Sequence, residues 1–186
     1  MVKINSCIFI SGNGSNFFAL SKRSNNYNFP IKVSLVVSDN PDAKGLKIAK
    51  KMGIPYRVFN KRNLINETKL IKLLKEKKIS LILLAGYMKI LSKKFIKQFD
   101  NKILNIHPSL LPKFKGLNTY ERILKNNEKR AGCTVHYVNE KLDSGKIILQ
   151  KKFYIKKDDD VVSLKRKTQN LEYVSYSEAI IKIFRK

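Results

Sequence analysis

The chain has 186 residues, 43% of them hydrophobic, and carries a net charge of +25 at neutral pH. That length suits a single domain over 1–186 with one sizeable core. No apolar run approaches the ~20 residues needed to cross a membrane, and Met1-Val2-Lys3 leads straight into a strand-like run, Ile4 to Ile10, unlike a secretory signal. A cytoplasmic protein is expected. Cys7 and Cys133 are isolated in apolar, strand-like surroundings and read as reduced core thiols. No Cys/His cluster has zinc spacing, so no metal is expected. The charge has two readings. It is either a footprint for a polyanion such as nucleic acid, or a compositional drift toward Lys, Asn and Ile. The lysines are dispersed along every helix-like segment, which favours drift, and no nucleic-acid partner is expected. In both cases anionic substrates feel an attractive field.

In chain order, Cys7 to Ile10 forms a short apolar run that ends at Ser11-Gly12-Asn13-Gly14-Ser15-Asn16, and a helix-like segment begins at Phe17. Ile31 to Val37 is a second strand, closed by Ser38-Asp39-Asn40-Pro41-Asp42. Ala43 to Met52 reads as a helix stopped by Gly53, and a short strand covers Tyr56 to Phe59. Glu67 to Lys77 has apolar residues at helical spacing. Leu81 to Ala85 is a buried strand broken at Gly86, and Ser92 is placed to cap a helix running to Phe99. Ile103 to Ile106 is an apolar strand that continues into His107, followed by a loop bounded by Pro108 and Pro112. A helix is expected from about Thr119 to Lys125, strands at Cys133–Val138 and Ile147–Tyr154, and a long helix from Val161 to Phe184. Strands alternating with helices predict an α/β, Rossmann-like fold with a mainly parallel, twisted sheet flanked by helices. Ligands of such sheets bind beyond the carboxyl ends of the strands, where the Ser11–Asn16 loop, the Gly86 turn and Asn105/His107 are all expected.

Asn105 and His107 are two residues apart on a strand and so share a face. An amide donor beside a group that titrates near neutrality can polarise a carbonyl and move a proton. The alternative is a histidine that only caps the strand. Gly12-x-Gly14 between a strand and a helix suits a phosphate cradle, with Ser15 and Asn16 adding donors, or is simply a tight βα turn. It lacks the Gly-Lys-Ser/Thr of a Walker loop, and Phe17 stands where a dinucleotide fingerprint needs a third glycine. His136 reads as a packed strand histidine that could also line the back of a site. Asp143, in Leu142-Asp143-Ser144-Gly145, is either an ordinary turn residue or a charge partner for His107. Asp158-Asp159-Asp160 precedes the last helix, where negative charge is favourable; metal binding is the lesser reading.

Taken together, Ile8-Phe9-Ile10-Ser11-Gly12-Asn13-Gly14-Ser15-Asn16, Leu84 to Leu91, Asn105-Ile106-His107-Pro108-Ser109-Leu110-Leu111-Pro112, Thr134 to Val138 and Leu142 to Gln150 resemble the glycinamide ribonucleotide transformylases of the folate-dependent formyltransferase superfamily. The resemblance covers nearly the whole chain and implies a formyltransferase fold. It implies formyl transfer from 10-formyltetrahydrofolate, as co-substrate, to the amine of glycinamide ribonucleotide in purine synthesis, by direct attack and without a metal. By resemblance, Asn105 and His107 stabilise the oxyanion, His107 also serves proton transfer, and Asp143 holds His107. Gly14, Ser15 and Asn16 take the phosphate; Met88, Gln169 and Glu172 line the ribose and amine side. Met88, Lys89, Ile90 and Leu91, with Asn105, Leu142 and Asp143, receive the folate, and Arg62 is the expected basic contact to it. Partners are small molecules, and the state is monomer or homodimer. The family's Pro-Gly-x-His is here Lys115-Gly116-Leu117-Asn118. Rival readings are a methionyl-tRNA formyltransferase, disfavoured because no chain remains for a second domain, a basic RNA-binding module, and a nicotinamide enzyme with Asp39 as ribose ligand.

Overall fold

A computed structural model describes residues 2–59 and 64–184. Its elements are β1 (Ile4–Ile10), α1 (Ser15–Ser24), β2 (Ile31–Ser38), α2 (Lys44–Lys51), β3 (Tyr56–Val58), α3 (Leu64–Glu76), β4 (Leu81–Leu84), α4 (Lys93–Gln98), β5 (Ile103–His107), α5 (Thr119–Lys125), β6 (Arg130–Tyr137), β7 (Ile147–Tyr154) and α6 (Val161–Phe184). The chain divides into two compact units, Met1–Leu104 and Asn105–Lys186. None of the described helices is long and apolar enough to span a membrane.

In the first unit the strands follow the order β3-β2-β1-β4 and every pairing is parallel. Parallel strands are covered on both faces, which explains their unbroken apolar runs. Cys7, Ile8, Phe9 and Ile10 are fully buried, with Cys7 level with Leu35 of β2 and Ile82 of β4. Burial raises the Cys7 thiol well above its ordinary value, as expected of a reduced core thiol. α1 covers this core with Phe17 and Leu20. β1 covers the expected run from Ile4 to Ile10, and the Ser6 hydroxyl donates to the Lys32 carbonyl, which fits a polar residue into a buried strand. At the far edge, β3 has only three residues, all exposed; a short edge limits strand addition by other chains.

In the second unit β5, β6 and β7 follow in that order, and β6 and β7 are antiparallel, with Cys133 opposite Lys151. α6 lies against β6 and β7. Ile123, Ala131 and Leu164 form a buried cluster on which Phe114, Tyr120 and Phe153 rest. The acidic run serves as the cap of α6. Asp160 Oδ1 accepts from the Ser163 amide at 2.7 Å, and Asp159 takes the Lys167 ammonium on both carboxylate oxygens. β6 starts at Arg130, earlier than the apolar pattern predicts, and includes Gly132.

A Cβ on Gly132 would stand 2.0 Å from the Lys151 carbonyl oxygen and 2.9 Å from both the Leu110 side chain and Lys152 Cα. Backbone cannot yield as a flexible side chain does, so Gly132→Ala is expected to cost about 3 kcal/mol of stability. A urea titration checks this; an unchanged midpoint would show that β6 and β7 separate freely.

Candidate active site

Asn105 and His107 end β5 on one face, and the loop that follows is fixed from β6 and β7. The Thr134 hydroxyl donates to the Ser109 carbonyl at 2.6 Å and accepts from the Leu111 amide at 3.1 Å. Gln150 Nε2 donates to both the Leu111 carbonyl and the Thr134 hydroxyl, at 2.8 and 2.9 Å. Through these bonds Thr134 and Gln150 hold the proline loop in register behind His107. The Leu111–Pro112 peptide is cis.

Asp143 ties the cluster together. Its side chain is 8% exposed, and its backbone is left-handed at φ 45°, a conformation that Asp tolerates better than most residues. Oδ2 accepts the Gly116 amide at 2.9 Å and lies 3.4 Å from His107 Nδ1. Oδ1 accepts from Asn105 Nδ2 at 3.4 Å. On its other edge, His107 donates from Nε2 to the Phe114 carbonyl at 2.9 Å. Both nitrogens of this buried ring therefore face oxygen atoms.

His136 joins the same cluster. Its Nδ1 donates to the Tyr137 carbonyl at 2.8 Å, so Nε2 is the acceptor and takes Asn105 Nδ2 at 3.3 Å. Burial holds His136 below the ordinary histidine value, against the Tyr137 carbonyl and Asp143, which pull it up. It is thus the neutral partner of the Asn105 amide. Both Asn105 bonds are long, 3.3 and 3.4 Å, and so are readily exchanged for a stronger acceptor such as a developing oxyanion. A polarising amide, an imidazole backed by a carboxylate and a second, neutral imidazole are a suitable set for acyl transfer with proton movement.

Of the other expected residues in this unit, Leu142 is exposed beside Asp143, and Glu172 is buried on α6 with Gln169 on the preceding turn. Burial, and then the Glu172 carboxylate, raise the Tyr120 hydroxyl; burial pushes the Cys133 thiol to about 11, with Glu172 again adding. Those two groups mark the surroundings of Glu172.

In the first unit, the glycine loop is closed by α2. The Gly45 amide donates to the Gly12 carbonyl at 3.0 Å, and a Cβ on Gly14 would stand 2.7 Å from Gly45 Cα. Gly14 is left-handed at φ 73°, which turns the chain into α1 two residues earlier than expected, at Ser15. Asn16 is buried in that first turn. The Ser11 hydroxyl donates to Asp39 Oδ1 at 2.6 Å and accepts the Met88 amide at 2.8 Å. The glycine loop and the turn after β4 are therefore brought together, and Asp39 is engaged in supporting the loop. Met88, Lys89 and Ile90 are exposed, whereas Leu91 is buried. Arg62 lies outside the described residues.

Sequence reasoning missed the Phe114 carbonyl and the Gly116 amide, which are backbone groups without a residue-type signature. It left His136 ambiguous between core and site; its spacing from Asn105 emerges only once β5 and β6 are neighbours.

A buried neutral histidine resists protonation in the folded chain, while the unfolded chain takes the proton near the ordinary value of 6.5. Stability should therefore fall as pH drops below about 6.5, by at most about 1.4 kcal/mol per pH unit from this group. His136→Asn should flatten that part of the profile in urea midpoints taken between about pH 7 and pH 5. An equal slope in both proteins would contradict the neutral assignment.

Residues 4–180 match the Formyl transferase family. The chain is 42% identical over 173 residues to the phosphoribosylglycinamide formyltransferase of Haemophilus influenzae, covering 91% of this chain and 82% of that protein. It is 37% identical over 182 residues to the trifunctional purine biosynthetic protein adenosine-3 of Gallus gallus, covering 96% of this chain but only 18% of that protein. The crystal structure of phosphoribosylglycinamide formyltransferase from Anaplasma phagocytophilum superimposes with a TM-score of 0.92 at 39% identity, over 98% of this chain and 88% of that one. The fold is the α/β formyltransferase fold, and the chain belongs to the formyl transferase family.

Proposed function

We propose that the chain, acting as one domain over 1–186, transfers the formyl group of 10-formyltetrahydrofolate to the amine of glycinamide ribonucleotide in purine synthesis. The observation that carries this reading is the Asn105–His107–Asp143 cluster in a chain of the formyl transferase family. The names of its relatives supply the acceptor.

The amine attacks the formyl carbon directly. A carbon–nitrogen bond forms, the formyl oxygen takes the negative charge, and the bond to the folate N10 then breaks. Asn105 gives up its long bonds to His136 and Asp143 and donates to that oxygen. His107 stabilises the same charge and serves the proton passing from the attacking amine to N10, with Asp143 holding the ring. Gly14, Ser15 and Asn16 bind the phosphate, while Met88, Gln169 and Glu172 line the ribose and amine. Met88 to Leu91, Asn105, Leu142, Asp143 and Arg62 receive the folate. The reaction needs no metal, since the leaving group departs with a proton and the oxyanion meets hydrogen-bond donors. The protein works in the cytoplasm on small molecules, as a monomer or homodimer, and binds no nucleic acid specifically. Its +25 charge attracts both anionic substrates.

His107→Asn should lower kcat by about 10³-fold with an unchanged circular dichroism spectrum. Asp143→Asn should lower kcat far more than it weakens ribonucleotide binding. Near-native turnover in the first variant, or a pure affinity effect in the second, would overturn these roles.

A further inference from the structure

The loop from Lys113 to Asn118 runs over His107 and Asp143 and supplies both the Phe114 carbonyl and the Gly116 amide. Its backbone is unfavourable by itself. Phe114, Gly116 and Asn118 all have positive φ, at 56°, 77° and 54°, and two of these three residues carry a Cβ. Such conformations persist only where their surroundings over-determine them.

Beside the Ser109 hydroxyl, which donates to the Lys113 carbonyl at 2.6 Å, and the Thr119 hydroxyl, which donates to the Gly116 carbonyl at 3.2 Å, those surroundings include one exposed side chain that spans the loop. Arg122, on α5, donates from one guanidinium nitrogen to the Lys115 carbonyl at 2.6 Å and to the Leu117 carbonyl at 3.4 Å. Its guanidinium also lies over the Phe114 ring, 5.5 Å from the centroid. The ring also packs against the buried Ile123, Ala131 and Leu164 cluster, so Phe114 is held between that core and the arginine. Charge-assisted donation and a cation over an aromatic face are both stronger than the neutral contacts they replace. A second cross-tie, from Lys115 Nζ to the Ser144 hydroxyl at 2.6 Å, binds the same loop to the turn that bears Asp143. Both ties involve Lys115, the residue standing where the resembled family has proline.

We infer that Arg122 is a positioning residue for formyl transfer: it holds the Phe114 carbonyl on His107 and the Gly116 amide on Asp143. Because its guanidinium lies on the Phe114 ring and bonds the carbonyls of Lys115 and Leu117, the residues that flank Gly116, it fixes both contacts at once. An arginine fits this place better than a lysine, since only a planar, multi-donor group can bond two carbonyls and stack on a ring together.

The inference rests on the roles proposed above for His107 and Asp143, and its test separates the two. Arg122→Ala and Arg122→Lys should be compared with the native protein in steady-state formyl transfer, and by amide hydrogen exchange at Gly116. Arg122→Ala is expected to lower kcat about ten-fold, as a small misplacement of reacting groups does, with KM for the ribonucleotide unchanged and faster exchange at Gly116. Arg122→Lys should fall between the two proteins in both readouts. Native-like or raised kcat in Arg122→Ala, or a change confined to KM, overturns the inference, as does unaltered Gly116 exchange. If the native protein itself transfers no formyl group, the functional reading fails, while Gly116 exchange still reports whether Arg122 holds the loop.

Discussion

A buried carboxylate is costly unless its oxygens are satisfied, and the second unit is arranged around one. Asp143 is met by the Gly116 amide, the Asn105 amide and the His107 ring. The first partner comes from the loop after Pro112, and the other two from the end of β5. Satisfying the carboxylate therefore fixes that loop, that strand end and the turn bearing Asp143 together, and it sets the hydrogen-bonding edges of both catalytic candidates. His136 completes the arrangement as a neutral acceptor for Asn105, its charge suppressed by burial. The polar cluster is closed on itself, which is how it survives in a buried setting, and the residue assigned to the oxyanion is held in it only by long bonds.

The same logic runs outward. Thr134 and Gln150 hold the proline loop, Arg122 and Lys115 hold the loop beyond it, and Asp160 caps the helix that packs on β6 and β7. In the first unit an uncharged device does comparable work. The close approach of Gly14 and Gly45 shapes the loop assigned to phosphate, and Ser11 joins that loop to the turn after β4.

Much of this is legible from the residues. The apolar runs of β1, β4 and β5 and the helical spacing of α6 place those elements, because burial on both faces of a strand or along one side of a helix leaves a periodic trace. Asn105 and His107 are readable as a pair because strand geometry alone puts them on one face. Asp143 stays open in the sequence between a turn residue and a charge partner for His107, since its approach to His107 depends on the return of the chain through β6. The start of β6 is hidden because Arg130 and Gly132 interrupt the apolar pattern; one is exposed and the other is required by strand proximity. The backbone groups of Phe114 and Gly116 leave no trace in residue type, and neither does the tautomer of His136, which is set by the Tyr137 carbonyl.

The central claim is that Asn105, His107 and Asp143 serve formyl transfer to a small ribonucleotide. The most direct measurement offers the native protein 10-formyltetrahydrofolate with glycinamide ribonucleotide and initiator methionyl-tRNA in parallel reactions. Formylation of the ribonucleotide amine alone, with matching loss of the formyl folate, is the predicted result. Formylation of the tRNA in its place, or of neither acceptor, would contradict the account.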